Sequence, residues 1–351
     1  MIGPSGPPTM DSKANAEIMA QPEEDGMRVR LLTIASALAA LTLLAPSCAG
    51  AQSYPSKPIR IMVGFAPGGP ADVMARLIAQ RLPALLGQSV IVENRPGAGG
   101  TIAAKLVAES EADGHTLLLG NTSTLVISPI VYPNVGYDPT AGFAPVALLG
   151  TTSNVLAVHP ALPAKTVGEL IALAKTSPGK LNYSSPGIGT PPHLIAELFK
   201  QRAGVDIVHV PYKGGGVASQ AVIAGEVQMI FENPTTSVPL LQGGRVRGLA
   251  VTSEARNPQL PELPTMVEAG LADFVSVSFT GVVAPGGTPR AVVERLNAAI
   301  NESITSSEIS SALVKLAVES RPASAADFSA FLKRERDKWG VVIRSAGLAA
   351  K

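Results

Sequence analysis

The sequence holds one cysteine, Cys48, in 351 residues, and it is poor in aromatic (4%) and charged (16%) side chains. A single cysteine excludes an internal disulfide framework and a cysteine-built metal site, so the folded part must be held by its apolar core. A net charge of +1 with no basic stripe excludes the electrostatic footprint of a nucleic-acid binder. The four histidines, His115, His159, His193 and His209, are widely spaced and show no metal-ligand pairing. Neither a Gly-x-Ser-x-Gly elbow nor a His-Glu-x-x-His helix occurs, and no cofactor or metal is expected. What the chain has in quantity is glycine and proline, 34 and 30 residues, which points to many short loops between compact elements. Its length is enough for two lobes, each with its own core.

The amino-terminal 51 residues divide in two. Residues 1–26 are polar, proline-rich and aperiodic, and are expected not to belong to the native product, whose start is expected at Met27. Met27 to Arg30 form a basic n-region and Leu31 to Leu44 an uncharged apolar run, and Ala49-Gly50-Ala51 is an Ala-x-Ala cleavage site. Together, 27–51 read as a secretory signal peptide, too short for a comfortable membrane span. Cleavage before Gln52 is expected to give an exported, cysteine-free protein. Ala45-Pro46-Ser47 ahead of Cys48 makes a poor lipobox.

The organising stretch is Ile59 to Arg76. The apolar run Ile59 to Phe65 breaks into Pro67-Gly68-Gly69-Pro70, and Ala71, Met74, Ala75 and Ile78 then recur on one helical face. This reads as strand, glycine turn and helix start, with Gly69 as N-cap, Pro70 at the first helical position and Asp72 in the first turn. Such a start offers unpaired backbone N–H groups to an anion. The loop has no Lys or Arg of its own, which suits a carboxylate better than a polyphosphate.

The same unit repeats along the chain. Val90 to Asn94 and Thr116 to Gly120 read as strands, each followed by a glycine- or hydroxyl-rich turn. Strands alternating with helices mark a parallel sheet, and ligands of such sheets sit beyond the carboxyl ends of the strands. Phe143 to Leu149 is a further apolar segment, and Val155 to His159 looks like a crossing into a second lobe. There Thr166 with Glu169 forms a capping-box pattern. The turns Ser185-Pro186-Gly187-Ile188-Gly189-Thr190 and Pro211-Tyr212-Lys213-Gly214-Gly215-Gly216 each precede a helix. Val275 to Ala284 reads as the return crossing, and 289–303, 308–317 and 325–345 as closing helices.

Three local patterns compete with this reading. Gly97-Ala98-Gly99-Gly100-Thr101-Ile102 faintly resembles a dinucleotide fingerprint, but it follows the second strand and Pro96 intrudes. Ser177-Pro178-Gly179-Lys180 fits a Ser-x-x-Lys nucleophile motif and equally a helix-ending turn, with no Lys-Thr-Gly downstream. His193, in a first helical turn after a glycine turn, is a candidate to face a cleft.

Several motifs in combination carry a family resemblance. They are Pro67-Gly68-Gly69 with Asp72 and Ala75-Arg76; Val92-Glu93-Asn94-Arg95-Pro96-Gly97-Ala98-Gly99-Gly100; Asp113-Gly114-His115-Thr116; Asn182-Tyr183-Ser184-Ser185-Pro186-Gly187 with Gly189-Thr190 and His193; His209-Val210-Pro211-Tyr212-Lys213-Gly214; and Leu263-Pro264-Thr265-Met266 with Glu268-Ala269-Gly270. From Tyr54 to its end the chain resembles the Bug family, the extracytoplasmic solute-binding proteins of tripartite tricarboxylate transporters. The resemblance implies an α/β fold, a two-lobed periplasmic binding protein of type II. Each lobe is a mixed, mainly parallel sheet flanked by helices, and the two are joined by a two-segment hinge. The expected lobes are 52–155 with 277–351, and 156–276.

The implied function is capture of a small organic carboxylate in the inter-lobe cleft and delivery to a two-component membrane permease. A monomer is expected, and no enzyme activity. The implied ligand-binding positions are Ala66, Gly68, Gly69 and Asp72, with Asn121 and Thr122, on one side. On the other they are Ser185, Gly187, Gly189, Thr190, His193, Tyr212, Lys213, Gly214 and Glu232. Two positions depart from the family pattern: Phe279 stands where Trp is common, an expected change in one cleft wall, and Glu232 where Asp is common. The alternative readings are a ligand sensor for a membrane kinase and an exported hydrolase using Ser177 or a cleft histidine.

Overall fold

The structure, a computed structural model, describes residues 54–350 as a continuous chain. The signal-peptide features and Cys48 lie outside the described residues. These contain two sheets.

The first sheet has six strands: β1 (Ile59–Val63), β2 (Val90–Asn94), β3 (Thr116–Asn121), β4 (Phe143–Ser153), β10 (Val277–Pro285) and β11 (Glu319–Ser320), in the order β11-β4-β10-β3-β1-β2. The strands β1, β2 and β3 run parallel, and β10 runs antiparallel to both β3 and β4. A strand covered on both faces must be apolar at successive positions, and β1 shows why. Ile59, Ile61 and Val63 pack with Met74, Ala75, Ile78 and Leu82 of helix α1 (Pro70–Leu86). Met62, on the opposite face, packs with Ala103, Ala104 and Val107 of α2 (Thr101–Ala108). The α1 apolar stripe recurs at three- and four-residue spacing, and the helix stops at Gly87, whose φ of 76° is the left-handed C-cap geometry glycine permits.

The second sheet has five strands: β5 (Val155–Val158), β6 (Asn182–Ser185), β7 (Val208–Pro211), β8 (Met229–Glu232) and β9 (Arg247–Val251), in the order β7-β6-β8-β5-β9. Again three neighbours, β7, β6 and β8, are parallel, and β5 is antiparallel to both β8 and β9. After β3 come the short helix α3 (Ser128–Val131) and, in the second lobe, α4 (Val167–Thr176), α5 (Pro191–Ala203), α6 (Gly215–Ile223) and α7 (Pro234–Gln242). The Thr166 hydroxyl caps α4 by accepting from the Glu169 amide at 3.1 Å, and the Glu169 carboxylate reaches back to the Lys165 amide at 2.6 Å. Helices α8 (Arg290–Thr305), α9 (Ser307–Lys315) and α10 (Ala325–Ser345) close the chain. Helix α10 belongs to the core of both lobes: Phe328, Leu332, Trp339 and Ile343 share one cluster with Leu118 and Phe279 of the first sheet and Tyr183 and Phe231 of the second.

The chain passes between sheets twice. Ser153 ends β4 and Val155 begins β5; Val251 ends β9 and Val277 begins β10. The buried residues Asn154, Thr252 and Ser276 lie at these passages. The Thr252 hydroxyl accepts from the Asn154 amide at 2.8 Å and donates to the Ser276 carbonyl at 2.6 Å, so both passages are tied at one point. Asn154 and Thr252 also pair through a backbone bond of 2.9 Å.

Ser177-Pro178-Gly179-Lys180 is the turn that ends α4: the Lys180 amide donates to the Ser177 carbonyl at 3.2 Å, and Gly179 takes φ 69°. The nucleophile reading of Ser177 therefore has no geometric support. Phe279, expected on a cleft wall, is 2% exposed, and its ring packs inward against Phe328 and Phe331 with centroids 6.2 and 5.3 Å away.

Candidate functional site

The strand registers decide where the loops lie. In the first sheet Asn121, at the carboxyl end of β3, pairs with Thr280 near the start of β10, and Val277 pairs with Ser153. In the second sheet Glu232, at the carboxyl end of β8, pairs with Val155, the first residue after the passage. In both sheets the carboxyl ends of the parallel strands therefore sit on the side where the chain passes between lobes. The turns that follow them, 64–70, 94–101 and 121–124 from one lobe and 185–193, 211–216 and 232–234 from the other, open on the inter-lobe side.

In the first lobe the turn after β1 is held by one carboxylate. Asp72 is 3% exposed; its Oδ2 accepts from the Gly68 amide and from Arg76 Nε, each at 2.9 Å, and its Oδ1 accepts from Asn94 Nδ2 at 2.9 Å. The same Asn94 amide group donates to the Phe65 carbonyl at 3.0 Å. The Arg76 hydrogen bond, followed by the Gly68 amide, holds the Asp72 carboxyl down to about 2. Asp72 was expected among the ligand contacts; its oxygens are instead taken up inside the turn. Gly68 has φ +83° and needs to be glycine, whereas Gly69, the N-cap of α1, has an ordinary φ of −76°. With Pro70 contributing no N–H, the donors left open at the head of α1 are the Ala71 and Asp72 amides, beside the exposed Ala66, Pro67 and Gly68.

The side chains of the other two expected positions of this lobe are engaged with the protein's own backbone. Thr122 is 2% exposed and its Oγ1 accepts from the Phe279 amide at 2.8 Å. Asn121 Oδ1 accepts from the Thr124 amide at 3.0 Å, shaping a one-turn π-helix over Ser123–Ile127 that periodicity did not signal.

In the second lobe the two turns differ sharply in their donors. Around α5 most amides are spent: Gly187 N donates to Ser185 Oγ at 3.1 Å, Gly189 N to His193 Nδ1 at 2.9 Å and Thr190 N to the Gly187 carbonyl at 3.4 Å. Pro191 and Pro192 have none to give. The Thr190 hydroxyl also turns back to the Gly187 carbonyl, at 2.7 Å. Helix α6 is the opposite case. Its first turn, Gly215, Gly216 and Val217, has no partner for its amides among the described residues and no side-chain cap, and it follows Lys213 and Gly214. Anion-holding capacity in this lobe thus lies more at α6 than at α5.

Ser185, His193 and Glu232 lie beneath these turns, not on them, at 0%, 5% and 7% exposed. Glu232 accepts from the Ser219 hydroxyl and, at 2.7 Å, from the Asn233 amide; burial pushes its carboxyl up. Its Oε2 is 4.0 Å from where a Cβ on Gly215 would stand, so this acid backs the head of α6. Tyr212 donates its amide to the Ser185 carbonyl at 2.9 Å, and its hydroxyl is raised first by burial and then by Glu226 beyond the far end of α6. Ile188 and Val217, 68% and 55% exposed, stand beside the donors as bare apolar side chains.

The family model for the tripartite tricarboxylate transporter family receptor matches residues 74–348. The chain belongs to that family. BugT of Bordetella pertussis is 36% identical over 302 residues, which are 86% of this chain and 93% of that protein. Among solved structures, Rpa4515 of R. palustris with adipate is 37% identical with a TM-score of 0.69, covering 84% of this chain and 99% of that one. MatC of Rhodopseudomonas palustris with bound malate is 33% identical with a TM-score of 0.66, covering 83% and 100%. The fold is thus the two-lobed periplasmic binding protein, and the family is one of receptors.

Within this receptor, two cavities lie away from the strand-end turns. One of about 190 Å³ is walled by Ser253 and Arg256 from one lobe and Val318 and Ser320 from the other. Another of about 350 Å³, between Lys57, Arg60 and Asp113, lies at the amino ends of β1 and β3. Neither contains a candidate residue, so the site rests on the register argument and the open donors. Arg76, Asn94 and His209 stand in the family motifs but not among the expected ligand positions, and the structure gives each a part in holding a turn. Asn94 carried one local signal, a polar residue closing a strand of a parallel sheet; His209 carried only its place in a motif, with nothing local to mark its role.

Proposed function

We propose that this transporter-family receptor captures a small organic carboxylate between its lobes by hinge closure about Asn154 and the Thr252–Ser276 passage, and delivers it to a two-component membrane permease. What supports this reading is a pair of helix heads with unspent amides, Ala71–Asp72 on α1 and Gly215–Val217 on α6, each following a strand end on the inter-lobe side. Such donors hold an anion without a dedicated cation, and Lys213, exposed beside α6, adds a positive side-chain charge near that head. The ligand positions are Ala66 to Gly69 with the Ala71 and Asp72 amides, Gly187 to Thr190, and Lys213 to Val217. Asp72, Thr122, Ser185, His193 and Glu232 act from beneath them. The adipate and malate of the two solved relatives are the ligand class to try first.

The protein works in the periplasm as a monomer, exported by cleavage after Ala51. No helix among the described residues is long and apolar enough to cross a membrane.

A thermal-shift screen of carboxylates tests the reading. A ligand at about a hundred times its dissociation constant stabilises the native state by ~2.7 kcal/mol, a shift easily seen. Stabilisation by neutral sugars or amines with no response to any mono- or dicarboxylate would refute it.

A further inference from the structure

Beneath the 185–190 turn lies a stack of three rings. Tyr183 of β6, His209 of β7 and His193 of α5 lie nearly parallel, with His209 in the middle: its centroid is 4.8 Å from Tyr183 and 3.9 Å from His193, the latter pair at 11°. Each imidazole holds one part of the turn. His209 Nε2 is 2.6 Å from Ser185 Oγ, which accepts the Gly187 amide at 3.1 Å. His193 Nδ1 takes the Gly189 amide at 2.9 Å. The charged or titratable groups facing the pair are Tyr183 from β6 and Glu197 and Lys200 from α5. Glu197 Oε1 accepts from the Tyr183 hydroxyl at 2.7 Å and from Lys200 Nζ at 2.9 Å, and it stands 4.0 Å from His193 Nε2.

The chemistry of the two contacts differs. Ser185 can donate to or accept from His209, so that contact survives in either tautomer. The Gly189 contact cannot, because a backbone amide only donates: His193 must present a bare Nδ1 lone pair and carry its proton on Nε2. A protonated His193 sets N–H against N–H and releases Gly189. We propose that His193 and His209 are positioning residues for the second lobe's half of the ligand site, and that the uncharged His193 imidazole is the latch that keeps the 187–190 turn in its binding form. This rests on the carboxylate-receptor reading above. The stack supports the latch: a charge on either ring lies 3.9 Å from its neighbour, so the pair resists double protonation. Burial is the leading cause lowering both histidines, with His209 brought down to about 4. The latch is therefore closed at neutral pH and opens on acidification.

The test uses three proteins, wild type, His193→Asn and His193→Leu, with adipate as probe in calorimetry. Asparagine places a non-titrating acceptor where Nδ1 stands; leucine places none. At pH ~7.5 the Asn variant should bind within about twofold of wild type and the Leu variant about fivefold more weakly, the loss expected for one hydrogen bond. Between pH ~7.5 and ~5 wild-type affinity should fall further than that of the Asn variant, since only wild type carries the His193 imidazole that must stay uncharged. A second readout needs no ligand. The Gly189 amide proton resonance of the ligand-free protein should move with pH in wild type and stay still in the Asn variant. Identical acid profiles for wild type and the Asn variant, or a Gly189 resonance indifferent to pH in wild type, would overturn the latch. If no protein binds adipate or any other carboxylate at pH ~7.5, the receptor reading fails, and the Gly189 resonance decides the latch alone.

Discussion

Thr252 and Ser276 clasp each other across the return passage: the Thr252 hydroxyl donates to the Ser276 carbonyl at 2.6 Å while the Ser276 amide donates to the Thr252 carbonyl at 2.8 Å. The same hydroxyl accepts from Asn154 on the outward passage at 2.8 Å. One fully buried side chain thus couples both connections.

Thr252→Val keeps the shape and removes the hydroxyl. It leaves the buried Asn154 amide and one lone pair of the Ser276 carbonyl without their partner, each costing ~1–3 kcal/mol. Denaturant unfolding should show a loss of roughly 2–6 kcal/mol. An unchanged midpoint would mean the hinge is not fixed there.

Gly68 and Gly69 should separate fold from binding. Gly69 has φ −76°, and a Cβ there meets only the Ala66 carbonyl at 3.5 Å, so the ligand-free protein should tolerate Gly69→Val. The isopropyl group would stand over the Ala71 and Asp72 amides. Losing two charge-assisted hydrogen bonds at ~1.5–3 kcal/mol each weakens a carboxylate by about a hundredfold or more. Gly68→Ala, at φ +83°, should instead lower the melting temperature of the ligand-free protein, by the ~1–2 kcal/mol a left-handed side chain costs. Calorimetry paired with ligand-free melting distinguishes the two, and a Gly69 variant that binds normally would remove the α1 head from the site.

Much of the fold was legible because its elements announce themselves locally. Helix α10 spans Ala325–Ser345 as its apolar periodicity predicts, and the Thr166 cap of α4 accepts from Glu169 as its spacing predicts. The three glycine turns stand at strand ends. What stayed hidden is pairing at a distance. Asp72 meets Asn94 across 22 residues and His193 meets His209 across two elements, and neither contact has a signature in spacing. A helix-start rule counts donors from the backbone alone. It could not foresee that the α5 turn spends its amides on Ser185 and His193, or that Asp72 serves its own turn.

Acid should destabilise the protein in two windows. Native His193 and His209 are lowered, His209 from 6.5 to about 4, so the unfolded chain binds more protons there and stability falls as pH drops through that range. Asp72, lowered from 3.8 to about 2, contributes fully above 3.8 and is lost as pH falls toward 2. Melting curves against pH for wild type and a His193→Asn, His209→Phe double variant should differ in the upper window and coincide in slope in the lower. Equal slopes throughout would show that the histidines are not buried neutral.

Protein recovered from a bacterial periplasm should have an intact mass that begins at Gln52. A start at Cys48 with added lipid mass would show that the membrane holds it.

The Asp72 knot has a kinetic consequence. Because Gly68, Arg76 and Asn94 already bind that carboxylate, the α1 jaw is finished before any solute arrives, and little entropy remains to be lost there on contact. The opposing turn depends on a ring it can let go. Capture should therefore begin on the rigid jaw and residence should be decided by the other. In stopped-flow measurements, changes near Gly69 should slow arrival of the solute, while changes at Gly189 or His193 should hasten its departure and leave arrival nearly as it was.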